Sequence, residues 1–413
     1  EMNNKYVETK CCEICGDTNL ELVLNLGNHP LCDDLTEVRE KRICEEYPIE
    51  IIFCSKCYTA YQKYQVPKKD LFPKTYHYRS RFTADVLSGM SKLVNDCEQV
   101  IGENLEGKKV LDVGCNDGSL LDFFKRKGAI TIGIEPTGAY SDAIDKGHAL
   151  YNNFFDEDMA VQIKKENGSP DIITFTNVFA HIEDLNKLLN ALKMVMHSGT
   201  VLVIENHYLG AVIDSFQFDT FYHEHPRTYS LKSFVGIAKK LQMNLFKAEF
   251  PSRYGGNIRV YMGGNKTMSS KEMQDIASVI SGEKHFGRLM LDMHKYIEVW
   301  QAHMKDKIQQ LVGKYGPLPA KAFPGRAAIL IKLLNLDKNS ISVVYEKPGS
   351  MKIGNFLPGT NIPIRSDDEL LRKPFPPVII NLAWHISEEI RNYLIAEGFD
   401  GEVIDIYNPK LDT

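Results

Sequence analysis

Short apolar runs recur through the middle of the chain, each closing on glycine, acidic or amide residues. In "KKVLDVGCNDGSLLDFFKRKG" the run Val110 to Val113 leads into a glycine-bearing turn and an amphipathic stretch from about Ser119. "AITIGIEP" supplies a second run ending at Glu135, "DIITFTNVFAHI" a third and "TVLVIENHY" a fourth. Strands alternating with helical stretches predict an α/β fold with a parallel, doubly wound sheet. Ligands of such a sheet bind beyond the carboxyl ends of its strands, where these turns lie.

The pattern changes on either side. Toward the C-terminus a long helical stretch covers about residues 271–314, and alternation resumes with "ISVVYE", "PVIINLAW" and "GEVIDIYN". A second, smaller Rossmann-like α/β layer is expected there, with "PLPAKAFPGR" as a boundary segment. Before about residue 68 the strands are shorter and cysteines crowd in. The expected division is a small module over 1–68, a first α/β domain over 69–270 and a second over 271–413. A chain of 413 residues is long enough for two or three such units.

Composition narrows the function classes. A hydrophobic content of 43% and a charged content of 25% are ordinary for a soluble globular protein. The formal net charge of −5 provides no basic field for nucleic acid or an anionic membrane. No apolar run approaches the ~20 residues of a membrane-spanning helix. The start "EMNNKYVETK" has no apolar segment resembling a signal peptide. The expectation is a cytoplasmic protein, a monomer or small homo-oligomer, with neither nucleic acid nor membrane as partner.

Seven of the nine cysteines lie between Cys11 and Cys57. In a reducing compartment such a cluster points to metal more often than to disulfides. "CEIC" (Cys12, Cys15) and "CSKC" (Cys54, Cys57) are two C-x-x-C knuckles, and together they complete a tetrahedral zinc site. Gly16 suits the left-handed turn a knuckle requires. Four thiolates leave no open coordination position, so the zinc is expected to be structural.

The first glycine-bearing turn carries a second chemistry. Gly114 and Gly118 in "LDVGCNDGSLL" let the backbone approach a ligand, Asp112 ends the strand, and Asn116 and Asp117 add polar groups. Glu135, closing the next strand, is placed to accept hydrogen bonds from both hydroxyls of a ribose. A dinucleotide fold would want G-x-G-x-x-G here, with pyrophosphate on the helix N-terminus. An acidic turn repels pyrophosphate and suits a cationic sulfonium, which favours S-adenosylmethionine over NAD.

Residues 221–230 read "FYHEHPRTYS". Two histidines flanking a glutamate allow a metal site, a proton-transfer centre or an ordinary polar loop. On a strand, His223 and His225 would share a face and could converge on a metal. By proximity alone His223 is the better histidine of the two.

Taken in order, the motifs resemble the sugar C-methyltransferases, which methylate carbon 3 of nucleotide-linked 4-keto-deoxysugars. The resemblance runs through the zinc knuckles, "LGNHPLCDDL", "YHYRS", "DVGCNDGSLL", "NVFAHIEDL", "YHEH", "YGGNIRVYMG", "GNFLPGTNIPI" and "NLAWHISEEI". It implies a zinc-binding module, a cofactor-binding Rossmann-like domain and a C-terminal α/β domain, with a dTDP-linked sugar between the last two. It also implies that His225 is the general base, with Tyr222, Glu224, His181 and Tyr76 lining the sugar site. Asn177 then falls to the cofactor, and Tyr78, Asn257, Arg259 and Arg326 to the substrate. The chemistry is coherent in itself. Forming a carbon–carbon bond from a sulfonium methyl requires a base beside the ketone and donors for the enolate oxygen. Three departures bear on the substrate: Tyr254 and Asn257 stand where relatives carry histidine and serine, "AKAFPGRAAILIKLL" with Pro324 and Arg326 replaces a glycine-alanine-lysine-glycine-type turn, and His385 stands where asparagine is expected. An O- or N-methyltransferase on a related sugar nucleotide is the alternative, and a degenerate methyltransferase serving as a zinc-containing binding module is a second.

Overall fold

The computed structural model describes residues 5–71, 84–252 and 256–409. Its central sheet has seven strands in the order Asn244–Glu249, Asn257–Gly263, Val201–His207, Ile172–Thr176, Lys109–Val113, Ile130–Ile134 and Ala149–Tyr151. Asn257–Gly263 runs antiparallel to both neighbours and the other pairings are parallel. All four apolar runs are therefore strands of one sheet. They read as near-continuous apolar segments because helices cover both faces. Leu111, Ile132, Ile173 and Leu202 pack on one side and Val110, Ile172, Val201 and Val203 on the other. The winding reverses between Lys109–Val113 and Ile172–Thr176, which opens a crevice at their carboxyl ends.

A second sheet is wholly parallel, in the order Ile364–Ser366, Ile341–Glu346, Leu318–Lys321, Val378–Asn381 and Glu402–Asp405. Its winding reverses between Leu318–Lys321 and Val378–Asn381, giving a second crevice. "PLPAKAFPGR" is therefore no boundary: it holds the first strand of this sheet and the turn at its carboxyl end. The long helical stretch is two helices, Ser270–Glu283 and Phe286–Tyr315.

The cysteine-rich part forms an antiparallel sheet of Glu21–Pro30, Glu46–Cys54 and Thr59–Gln62, with Arg227–Thr228 as a fourth strand. That fourth strand follows the His-Glu-His turn directly. Leu24, Ile51 and Phe53 share one core with Met290 and Met293 of the long helix and with Ile329 and Ile380 of the second α/β unit. The small module thus borrows apolar surface from its neighbours. Among the described residues no helix is long and apolar enough to cross a membrane.

Candidate active site

Both crevices open into a single cavity of about 600 Å³. One wall comes from the turns after Lys109–Val113, Ile130–Ile134, Ile172–Thr176 and Val201–His207. The opposite wall is formed by Pro324, Gly325, Arg326, Lys352 and His385 of the second α/β unit, with Cys32 and Asp33 contributed by the cysteine-rich module.

The glycine-bearing turn follows the expectation closely. Gly114, Asn116 and Gly118 all have positive φ, at 75°, 52° and 79°. A Cβ on Gly114 would come within 2.5 Å of Val178 Cγ2, so only glycine fits there. Asp112 is buried, accepts from Thr174 Oγ1 at 2.7 Å, and is pushed by that burial up to about 7. Glu135 lines the cavity and accepts from Asn116 N at 3.0 Å and Thr137 N at 2.9 Å. Asn177 lines it as well, held at φ 54° with its N–H on the carbonyl of Glu205. Asp117, expected at the cofactor, instead turns its carboxylate onto Ser119 N at 2.9 Å and Ser119 Oγ at 2.6 Å and does not line the cavity.

The His-Glu-His segment is a tight turn, with His225 N on the carbonyl of Tyr222 at 2.9 Å. The two histidines therefore diverge, as they would not on a strand. His223 donates from Nε2 to the Tyr47 carbonyl at 3.0 Å and lies outside the cavity lining. His225 faces the cavity, its Nδ1 2.8 Å from the carbonyl of Thr220. A carbonyl only accepts, so Nδ1 carries the proton and Nε2 the lone pair. The ring lies 4.1 Å from that of Tyr222, 4.7 Å from His181 and 5.3 Å from His207. Burial and these two neighbouring histidines hold His225 well below the usual histidine value, so the imidazole is neutral. His181 is fixed by Nδ1 on the Glu224 carbonyl at 2.7 Å. Glu224 is buried and hydrogen-bonded to Asp33, and burial raises its carboxyl well above the ordinary range.

The turn is clamped from the cysteine-rich module. Gln62 Nε2 donates to the carbonyls of Phe221 and Tyr222 at 2.8 and 3.3 Å. Arg227 donates to both oxygens of Glu13, inside the first knuckle, and to the carbonyls of Ile182 and Glu183 beside His181.

Other expected residues have different duties. Arg326 lines the cavity but is engaged bidentately by Asp219 at 3.0 and 2.8 Å, joining the two α/β units. Arg259 is buried among Glu205, Asp96 and Glu249 and is absent from the cavity lining. Asn257 turns its amide onto Glu205 at 2.9 Å, and it too is outside the lining. Both sit on the antiparallel strand, where internal charge pairing outranks ligand contact. Tyr76 and Tyr78 lie outside the described residues. Asp33, His207 and Lys352 line the cavity without having been singled out. "LCDDL" and "ENHY" are visible as motifs, but only the fold brings Asp33 to Glu224 and His207 to His225.

The Sγ atoms of Cys12, Cys15, Cys54 and Cys57 all lie within 4.8 Å of one another, and those of Cys15 and Cys54 are 3.6 Å apart. A zinc tetrahedron with ~2.3 Å bonds has edges of about 3.8 Å, so the set fits. The knuckles match in detail: Gly16 and Tyr58, each following a second cysteine, have φ 78° and 54° and bond back to Cys12 and Cys54. Among the described residues this is the sole cluster with metal-ligating geometry, which removes the metal reading of the His-Glu-His segment.

Three family descriptions match in succession: "Putative zinc binding domain" over residues 12–72, "Methyltransferase domain" over 77–247 and "C-methyltransferase C-terminal domain" over 252–399. The chain is 24% identical to C-methyltransferase NovU of Streptomyces niveus over 92% of its own length and 90% of the relative's. It is 31% identical to the ubiquinone biosynthesis O-methyltransferase of Pectobacterium carotovorum subsp. carotovorum (strain PC1), over 24% of this chain and 42% of that protein. Among solved structures, magnesium protoporphyrin IX methyltransferase (ChlM) from Synechocystis PCC 6803 with bound SAM is 13% identical. That match covers 45% of this chain and 87% of the other, with a TM-score of 0.33.

Proposed function

As this chain belongs to the C-methyltransferases with a zinc-binding N-terminal domain, we propose that it methylates a carbon beside the ketone of a nucleotide-linked 4-keto-deoxysugar, carbon 3 by the pattern of its motifs. The single observation carrying the reading is His225: a neutral imidazole, aimed into the cavity, with its tautomer set by the Thr220 carbonyl. The three-unit division at residues 68 and 270 belongs to the same proposal.

S-adenosylmethionine, when bound, supplies an electrophilic methyl on a positively charged sulfur. Gly114 and Asn116 would cradle it, Glu135 would take the ribose hydroxyls and Asn177 would hold a further polar edge. Asp112, whose carboxyl is made costly to ionise by burial, would regain its charge beside a cationic ligand.

His225 Nε2 removes the proton from the carbon next to the ketone, while Nδ1 stays on Thr220 and steadies the imidazolium that forms. The resulting enolate carbon would be the nucleophile toward that methyl, whose bond to sulfur would break as the carbon–carbon bond forms, leaving a neutral thioether. Tyr222 and His181 border the same space, and they would meet the sugar's oxygens. The neighbouring His181 and His207 make a lingering imidazolium unfavourable, so the proton is passed on to solvent after transfer. Four cysteines at Cys12, Cys15, Cys54 and Cys57 would hold zinc, whose part is to fix the module that clamps the turn. The opposite wall, with Arg326, Lys352 and His385, would carry the nucleotide.

The test uses dTDP-, GDP- and CDP-linked 4-keto-6-deoxyhexoses with carbon-13 methyl-labelled S-adenosylmethionine. The reading expects a labelled methyl bonded to carbon in the product's NMR spectrum, and none with His225→Asn. A methoxy or N-methyl product would establish the heteroatom alternative instead.

A further inference from the structure

We propose that Asn206 binds the reacting edge of the substrate, its Nδ2 donating to the carbonyl oxygen and its Oδ1 accepting from a hydroxyl on the adjacent carbon. The inference rests on the carbon-methylation reading above and adds to it a residue that selects α-hydroxy ketones.

Asn206 is the penultimate residue of Val201–His207, and its backbone is locked in the sheet opposite Ile258. It is 1% exposed, yet it lines the cavity. Among the described residues neither Nδ2 nor Oδ1 has a hydrogen-bond partner. A carboxamide buried with both ends unpartnered is unfavourable, and buried polar groups rarely remain so unless something binds them. Its neighbours in sequence are accounted for. Glu205 holds Arg259 and Asn257, and His207 sets its ring 5.3 Å from that of His225. Thr176 Oγ1, on the adjacent strand, and His385 Nδ1, from the opposite wall, are also buried, unpartnered and in the cavity lining. These three side chains, from both α/β units, thus border the same space.

A carboxamide offers a donor and an acceptor side by side. A ketone next to a carbon bearing a hydroxyl offers the complementary acceptor and donor at matching spacing. The hydrogen bond to the ketone strengthens as enolate charge develops on that oxygen, so it acts on the transition state more than on the bound substrate. The acceptor half acts on the hydroxyl and discriminates against analogues that lack it, because an unpaired buried acceptor would remain.

The test compares wild type with Asn206→Asp, Asn206→Ala and Asn206→Leu. The probes are dTDP-, GDP- and CDP-linked 4-keto-6-deoxyhexoses with and without the hydroxyl beside the ketone. Loss of such a donor is expected to lower kcat about a hundredfold or more. In Asn206→Asp and Asn206→Ala, KM and S-adenosylmethionine affinity should stay within a few-fold of wild type. Asn206→Ala should also lose the preference for the hydroxylated sugar. Ligand-free Asn206→Leu should melt at or above the wild-type temperature, since it replaces an unpartnered amide. A lowered melting temperature, kcat within a few-fold of wild type, or cofactor affinity falling in step with kcat would each overturn the assignment. A wild type inactive on the whole panel would remove the methylation reading and this inference with it. Active wild type beside an equally active Asn206→Asp would remove this inference alone.

Discussion

Arg227→Met should uncouple the zinc knuckle from the catalytic turn. Arg227 follows His225 by two residues, and its side chain is fully buried against Glu13. Methionine keeps most of the stem's apolar volume and supplies no donor, so Glu13 loses its cation while two carbonyls beside His181 lose theirs. Breaking a buried ion pair by removing one partner costs about 3–5 kcal/mol. Glu13 retains 21% side-chain exposure, so water takes up part of that loss, which argues for the lower end, about 3 kcal/mol. At ~1.4 kcal/mol per tenfold, local opening of the module becomes roughly a hundredfold more frequent. Zinc transfer to a chromophoric chelator reports that opening wherever the rate is proportional to chelator concentration. Transfer should be about a hundredfold faster in Arg227→Met, and methyl transfer should fall with it. Zinc release within about threefold of wild type, with methyl transfer intact, would mean that Gln62 and the short strand hold the turn by themselves.

Asp112 is pushed up to about 7 by burial, and a bound cation favours its charged form, so binding releases a proton. S-adenosylmethionine affinity measured by calorimetry should therefore rise from pH 6 to pH 8 in the wild type and lose that slope in Asp112→Asn; a flat wild-type profile would contradict this. Gly114→Ala forces a left-handed alanine against Val178, and cofactor affinity should drop at least tenfold, or about 1.4 kcal/mol. Val178→Ala added to it should restore part of the loss, and no restoration would place the defect elsewhere. Burial depresses His29, His181, His223 and His385 to about 4 and His207 to about 3. Depressed groups contribute stability that is full above the unfolded value near 6.5 and is lost as pH falls towards 4, because the unfolded chain binds more protons there. Asp112 and Glu224, both raised, work in the opposite sense but are outnumbered. The urea midpoint should fall between pH 7 and pH 5, and a constant midpoint would contradict the burial of these rings.

How much was legible in the residues depended on whether a feature is local. The four apolar runs could be read as strands because a sheet covered on both faces needs apolar residues throughout. Leu318–Lys321 escaped notice because proline and lysine interrupt it; the lysine is tolerated there by pairing with Asp367 at 2.8 Å. Both knuckles could be read from spacing, whereas the left-handed Tyr58 could not, since nothing but its place after Cys57 demands that conformation. In the site, Gly114 and Glu135 were evident as motif residues. Asp33 was not, because its role depends on a module far away in sequence folding over the cavity. An asparagine and an arginine beside glycines read the same whether they face a ligand or a buried carboxylate, and only the fold shows Asn257 and Arg259 turned onto Glu205. The choice between His223 and His225 needed the turn itself, which sends one ring to Tyr47 and the other into the cavity.

The central claim is that His225 removes a proton from carbon. It is tested most directly by incubating enzyme and sugar nucleotide in deuterated water with S-adenosylmethionine withheld. Proton NMR should show the hydrogen beside the ketone replaced by deuterium with wild type. His223→Asn should exchange at a comparable rate and His225→Asn at the rate of the uncatalysed control. Exchange that persists in His225→Asn would contradict the account.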